Sequence, residues 1–247
     1  QLQHMSFDAY INWKQQSIID LLQNCNIKFL EFGGLFTSRN QKRRRANFKF
    51  KRTKEKNFIG FYARKSYQII ELDNCDVLSK ELLETKELIR DGLNSIMPIG
   101  ITIAVNVNHF ENGSDVLIIP EQKLPINAEV ELASWASGTS IKRLSLIYAG
   151  QDEPRLLCQN SIPLLNWGDI SICPPPGSFL QPTLFGEKKL QNDVFLAHKD
   201  ATHCLDLFAG CGTLSAKLLS QKVRITAIDN HKKCLDAYQS GYRNFTQ

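Results

Sequence analysis

No apolar run in this 247-residue chain approaches the roughly 20 residues that a membrane-spanning helix needs. A basic-then-apolar leader with a small-residue cleavage site is also missing from these residues, so a secreted route is not expected. The seven cysteines are odd in number and scattered without a framework spacing. That excludes a disulfide scaffold and favours a reducing, cytoplasmic compartment. Internal repeats and low-complexity tracts are absent as well. With 43% hydrophobic residues, the chain reads as globular, with room for one large or two modest domains. Its first residue is Gln rather than Met, and a piece of a longer protein is expected.

Charge is scarce overall, at +5, but unevenly placed. Between Arg39 and Lys56 ten Lys/Arg face a single acid, Glu55, so the remainder of the chain is slightly acidic. Such a block points to a polyanionic partner, most simply nucleic acid, with a solvated charged surface or a flexible arm as the alternative. Within it the period is two. Ala46, Phe48 and Phe50 point one way, and Arg45, Asn47, Lys49 and Lys51 the other. The block is therefore expected as a strand with a buried face and a cationic face. A sheet surface of that kind can lie along an RNA backbone, while Phe48 and Phe50 read as ordinary core.

Around this strand the pattern is mixed. Ser6 is placed to cap a helix reaching about Asn24, and Gly33-Gly34 reads as a linker. Strands are expected at Phe58 to Ala63 and Tyr67 to Leu72, then a helix from Ser79 to about Ile96. Further strands are expected at Ile101–Val107, Val116–Ile119 and Leu144–Tyr148, with a helix at about Ala128–Ala136. Without βα alternation this is an α+β domain. Pro174 to Gly177 reads as a hinge, and Leu184 to His198 as a helix leading onward.

The most informative stretch follows. His203 to Thr213 (HCLDLFAGCGT) reads as a strand, a glycine turn and a helix start near Thr213, and Ile225 to Asp229 as a second strand ending on an acid. This is the nucleotide-binding start of a doubly wound sheet, with the carboxylate roughly 20 residues past the first glycine, where it can grip ribose hydroxyls. The third glycine of a dinucleotide fingerprint is missing, and Ser215 stands there. Asp206, inside the strand, would repel a pyrophosphate but could pair with the ammonium of a methionine moiety. That favours S-adenosylmethionine over NAD, although a single G-x-G is weak evidence and a ligand-free turn stays open. Less than one further βα unit fits before Gln247, so an unfinished sheet with an open edge is expected, with low stability or association through that edge.

The stretch Asp206 to Thr213 resembles the cofactor loop of the RNA (uracil-5-)-methyltransferases, the bacterial 23S rRNA and tRNA m5U enzymes. Three further stretches agree in order, so the resemblance spans essentially the whole chain. Gln1 to Ser6, with Trp13-Lys14 behind it, is similar to the segment following that family's cysteine-rich start. Arg43 to Ala46, Gly60-Phe61 and Asp73 to Leu78 resemble its central domain, and Pro176 to Gln181 the opening of its methyltransferase domain.

The resemblance implies an α+β central domain followed by the first part of an α/β, doubly wound (Rossmann-like) class I methyltransferase domain. The implied divisions are residues 1–38, 39–168 and 169–247. It implies that Gln181 bonds the cofactor near its methionine end, that Phe208, Gly210 and Gly212 line its floor with Thr213 beside them, and that Asp229 holds the ribose. It implies that Cys75 is the fourth ligand of a [4Fe–4S] cluster whose other three cysteines precede this chain; a lone cysteine otherwise reads as a small buried hydrophobe. It also implies that the cysteine attacking uracil C6, and the base removing the C5 proton, lie beyond Gln247. Cys211 is not expected to serve as that nucleophile. The expected whole protein is an S-adenosylmethionine-dependent RNA uracil-5 methyltransferase, with rRNA favoured over tRNA, and Arg43, Arg44, Arg45, Lys49 and Lys51 on the RNA. The chain by itself is expected to be inactive. Another RNA methyltransferase and a non-catalytic RNA-binding module remain as alternatives.

Overall fold

The computed structural model describes residues 4–29, 31–37, 42–168, 170–221 and 223–245. Gln1 to Gln3 of the first motif and Arg39 of the basic block lie outside them. The chain forms two units, Gln1–Arg39 and Asn40–Gln247. In the first, the helix α1 (Phe7–Asn24) starts where a cap was expected: Ser6 Oγ accepts from the Ala9 amide at 3.3 Å. No residue of α1 is buried.

The second unit is built on a seven-stranded sheet. Its strands are β1 (Arg45–Arg52), β2 (Asn57–Tyr62), β3 (Ile69–Glu71), β4 (Thr102–Phe110), β5 (Gly113–Pro120), β6 (Arg143–Leu146) and β7 (Arg155–Gln159). They run in the order β3-β2-β1-β4-β5-β6-β7. All neighbours are antiparallel except β5 and β6, which the helix α3 (Ala128–Ser137) connects. The helix α2 (Lys80–Ile96) begins at Ser79, whose Oγ accepts from the Leu82 amide.

Period two in β1 sends Ala46, Phe48 and Phe50 into the core, with Asn47 and Lys51 exposed. There Phe48 and Phe50 meet Leu82, Ile89 and Leu93 of α2 and Val105 of β4. Burying each phenylalanine stabilises the sheet by about 1.5–3 kcal/mol. Cys75 packs partly buried against this same core.

Beyond the sheet come the hairpin β8 (Leu165–Trp167) and β9 (Ile170–Ile172), then α4 (Leu184–His198), capped by Thr183 Oγ1 on the Gly186 amide at 3.0 Å. The strands β10 (His203–Leu207) and β11 (Arg224–Ile228) pair in parallel, with α5 (Ala216–Leu219) between them and α6 (Lys232–Phe245) after them. Leu165, Ile170 and Ile172 share a core with Cys211, Leu219 and Tyr238, and the expected division at 168/169 falls in the turn of that hairpin.

Two expectations are corrected here. The helix after the glycine turn starts three residues later than expected: turns continue to Ser215, and α5 has four residues. Pro174 to Gly177 is also not a free hinge. Side chains of the sheet hold this segment and its continuation to Pro182 by the backbone. Arg143 Nη2 donates to Pro174 O at 2.7 Å, Asn108 Nδ2 to Ser178 O at 2.8 Å, and Arg45 Nη1 to Leu180 O at 3.3 Å. Arg44 binds twice, by Nε to Gln181 O at 3.2 Å and by its own amide to Pro182 O at 2.8 Å.

Candidate functional site

The glycine loop lies at the carboxyl ends of β10 and β11, where open α/β sheets place their ligands. Asp229, at the end of β11, is tied to it. Its Oδ2 accepts from the Gly210 amide at 2.8 Å and its Oδ1 from the His231 amide at 2.7 Å. Those amides hold the carboxyl below its ordinary value, His231 contributing most. Each oxygen keeps a further lone-pair direction for an outside donor.

Gly210 and Gly212 both have positive φ, +54° and +84°. A Cβ on Gly210 would meet nothing within 4 Å, so the loop has open space in front of it. A Cβ on Gly212 would lie 2.4 Å from the Tyr238 ring, so that glycine is required by packing as well as by conformation. Phe208 also has positive φ, +57°, and its ring is 91% exposed. A bulky residue held there is strained, and strain of this kind collects at ligand sites.

Below the loop, the hydroxyl of Ser215 donates to Asp206 Oδ2 at 2.5 Å and lies 2.8 Å from the Tyr238 hydroxyl. Burial pushes the Tyr238 phenol up to about 12. The residue in the third fingerprint position is therefore a bridge between β10 and α6. Neither Ser215 nor Tyr238 was among the expected site residues. The missing third glycine was the one sign of the first, and nothing in the local pattern pointed to the second. Thr213 is held by its carbonyl, which accepts from Gln191 Nε2 of α4 at 2.8 Å.

Gln181 is positioned by Arg44, and its side-chain amide has no partner among the described residues. Arg44 itself is a correction. Expected on the RNA-facing surface, it is 7% exposed and pairs at 2.5 Å with Glu187 of α4, which is 1% exposed and also accepts from Trp167 Nε1. It joins the sheet to α4 and is closed to phosphate. Arg43 and Lys51 stay exposed. Arg45 lies 4.5 Å over the Phe179 ring, and Lys49 pairs with Glu121 at 2.9 Å while lying 5.0 Å over the Tyr62 ring.

Cys211 and Cys234 are buried side by side behind the loop, with Ser178 Oγ 3.8 Å from the Cys234 sulfur. The hydrogen bond to Cys234, and then burial, hold the Cys211 thiol far above its ordinary value. Accepting that bond pushes Cys234 down to about 6. A protonated, buried Cys211 is a poor nucleophile. Among the described residues no group of three or more His, Cys, Asp and Glu could hold a metal. Cys75, expected as a cluster ligand, is partly buried against the sheet core, with no such group around it. A concavity of about 720 Å³ is lined by α5, β11 and α6 and includes neither Phe208, Gly210 nor Asp229. No helix among the described residues is long and apolar enough to cross a membrane.

No family model matches the chain. Curated relatives do. An RNA methyltransferase of Mesorhizobium japonicum, described as uncharacterized, is 24% identical over 98% of this chain and 56% of its own length. Another of Brucella suis is 26% identical over 98% of this chain and 57% of its own. The 23S rRNA (uracil(1939)-C(5))-methyltransferase RlmD of Shewanella sediminis is 26% identical over 92% and 53%. The chain thus spans about half the length of the relatives it matches. Among solved structures, the tRNA (uracil-54, C5)-methyltransferase of Pyrococcus abyssi in complex with S-adenosyl-L-homocysteine superposes with a TM-score of 0.70 at 15% identity, over 99% of this chain and 62% of that one. Relatives along nearly the whole chain are RNA methyltransferases, and its fold is that of the archaeal enzyme.

Proposed function

We propose that this chain is the RNA-facing and cofactor-loop part of an S-adenosylmethionine-dependent RNA uracil-5 methyltransferase. The observation that carries the reading is the loop itself: exposed Phe208, open space before Gly210, and Asp229 fastened to that glycine's amide. Phe208 and the Gly210–Gly212 backbone would floor the cofactor, and Asp229 would accept from its ribose hydroxyls. Asp206, steadied by Ser215, would face its ammonium, and the unpartnered amide of Gln181 would bond its methionine end. Bound S-adenosylmethionine supplies an electrophilic methyl group. Arg43, Arg45, Lys49 and Lys51 would hold RNA phosphates, and Arg44 fixes Gln181 from behind. The names of the Shewanella relatives favour rRNA over tRNA as substrate.

With the loop's own cysteine, Cys211, buried, we expect cofactor binding without methyl transfer from this chain alone. Calorimetric titration with S-adenosylhomocysteine tests the first part: binding that weakens at least tenfold in Asp229→Ala and Gln181→Ala is expected, and no binding by the parent chain would sink the reading. Incubation with RNA and radiolabelled cofactor tests the second, where any 5-methyluridine formed would refute it. A non-catalytic RNA-binding module is the competing reading. It would keep salt-dependent RNA affinity with no cofactor affinity.

A further inference from the structure

The hairpin joining β2 to β3 belongs to neither the cofactor loop nor the basic block. Its connection, residues 63–68, is closed by its own hydrogen bonds. The Ala63 amide donates to Gln68 O at 2.8 Å, the Ser66 amide to Ala63 O at 3.1 Å, and the Gln68 amide to Ser66 Oγ at 3.0 Å. Lys65 takes φ +54° at the tip. A connection pinned in this way presents its side chains in a set arrangement, which lowers the ordering cost of binding.

What it presents is an aromatic ring among cations. Tyr67 is 87% exposed, and its ring meets Tyr62 edge-on at 5.7 Å and 85°, so most of its surface is open. Tyr62 is itself fixed by Lys49 over its ring and by its hydroxyl on Glu121 at 3.3 Å. The acids near this surface are occupied: Glu121 pairs with Lys49, and Glu71 with Lys56 at 2.6 Å. Arg64 and Lys65 at the tip have no carboxylate partner among the described residues. A lone exposed tyrosine is ordinary. One held on a second tyrosine, in a closed turn that also carries two uncompensated cations, matches a strand with both bases and phosphates. The surplus positive charge selects a polyanion over a protein surface.

We propose that this hairpin is a second RNA contact, with Tyr67 stacking on an unpaired base and Arg64 and Lys65 on its flanking phosphates. The proposal rests on the reading of RNA as partner. It is tested by titrating the full chain with a short labelled single-stranded oligoribonucleotide, and with its duplex, over a range of salt.

Tyr67→Ala is expected to weaken single-strand binding roughly 5- to 100-fold without changing the salt slope, while Tyr67→Phe keeps most of the affinity. Arg64→Gln with Lys65→Gln is expected to lower that slope by about 1.4, at roughly 0.7 per charge. Wild-type affinity in Tyr67→Ala, with Arg43→Gln and Arg45→Gln still weakening binding, would overturn the hairpin site and leave the RNA reading intact. An equal loss on duplex would also overturn stacking on an unpaired base. No salt-dependent RNA affinity in the parent chain would remove both. Self-association that depends on Tyr67 would mark the surface as a protein contact instead.

Discussion

At Gly212 a single missing methyl group decides whether the loop can sit on α6. The Tyr238 ring occupies the place where a Cβ would go, at 2.4 Å, and φ is +84°. Gly212→Ala is therefore expected to lose about 1–3 kcal/mol by urea unfolding, from overpacking and backbone strain together. Adding Tyr238→Ala should relieve the steric part, and a loss that stays additive would count against this account. Asp229 gives a second test at this scale. Its folded-state pKa lies below 3.8, held down by the His231 and Gly210 amides. The tie therefore contributes stability above 3.8, and that contribution is lost as pH falls through the lowered value. Amide NMR should show the Gly210 and His231 resonances moving together in that acid range, and a Gly210 amide indifferent to Asp229 titration would disprove the tie. Gly210 and Asp229 were legible in the sequence because both belong to one short βαβ signature. Ser215 and Tyr238 were not, because their hydroxyls meet only once α6 has packed. Arg44 was misread for a related reason: a count of cations says nothing of a glutamate 143 residues away.

Among the elements, the segment 173–182 shows how polar groups on one face of a sheet can replace a helix as cover. Arg143 is central, with a two-pronged pair to Asp115, both bonds 2.8 Å, and a third bond to Pro174 O. Both partners are buried. Arg143→Ala would leave Asp115 charged without compensation and is expected to cost ~3–5 kcal/mol, read from the denaturant midpoint. The double variant Asp115→Leu with Arg143→Met should recover most of that loss. A mild effect of Arg143→Ala would mean that the segment is held by its other bonds. The longer elements were readable because their periods extend over enough residues. α4 runs from Leu184 to His198 as expected, and β1 alternates as expected. The edge strand β7 and the hairpin β8–β9 were missed: they are three to five residues long, too short for a period to show. The start of α5 was placed three residues early because a glycine turn announces a helix without fixing its first residue.

In the second unit, the seven-stranded sheet and the β10–β11 pair are protected to different degrees. The seven-stranded sheet has α2 on its core face, whereas β10 and β11 form a two-stranded sheet on which Leu205, Leu207 and Ile228 remain exposed. A pair of strands is marginal alone, and open edges and apolar faces invite pairing. Amides of β10 and β11 are expected to exchange with solvent well before those of β1, β4 and β5, as hydrogen exchange would measure. Association that grows with concentration is also expected in sedimentation, and Leu205→Lys with Ile228→Lys should reduce it. A strictly monomeric chain with uniform protection would refute both.

From the sequence alone came the longer elements and their inward faces, through periods of two and 3.6. The glycine loop, its distal acid and the cationic strand came from it too, because each is a pattern of near neighbours. Tertiary structure alone decided which cations stay free, since that depends on Glu187, Glu121 and Glu71 arriving from other elements. It also decided that the loop rests on Tyr238 through Ser215, and that Tyr67 stands open beside Tyr62. Hydrogen bonds and ring contacts act over a few ångströms of space, and only the folded chain sets which residues lie that close.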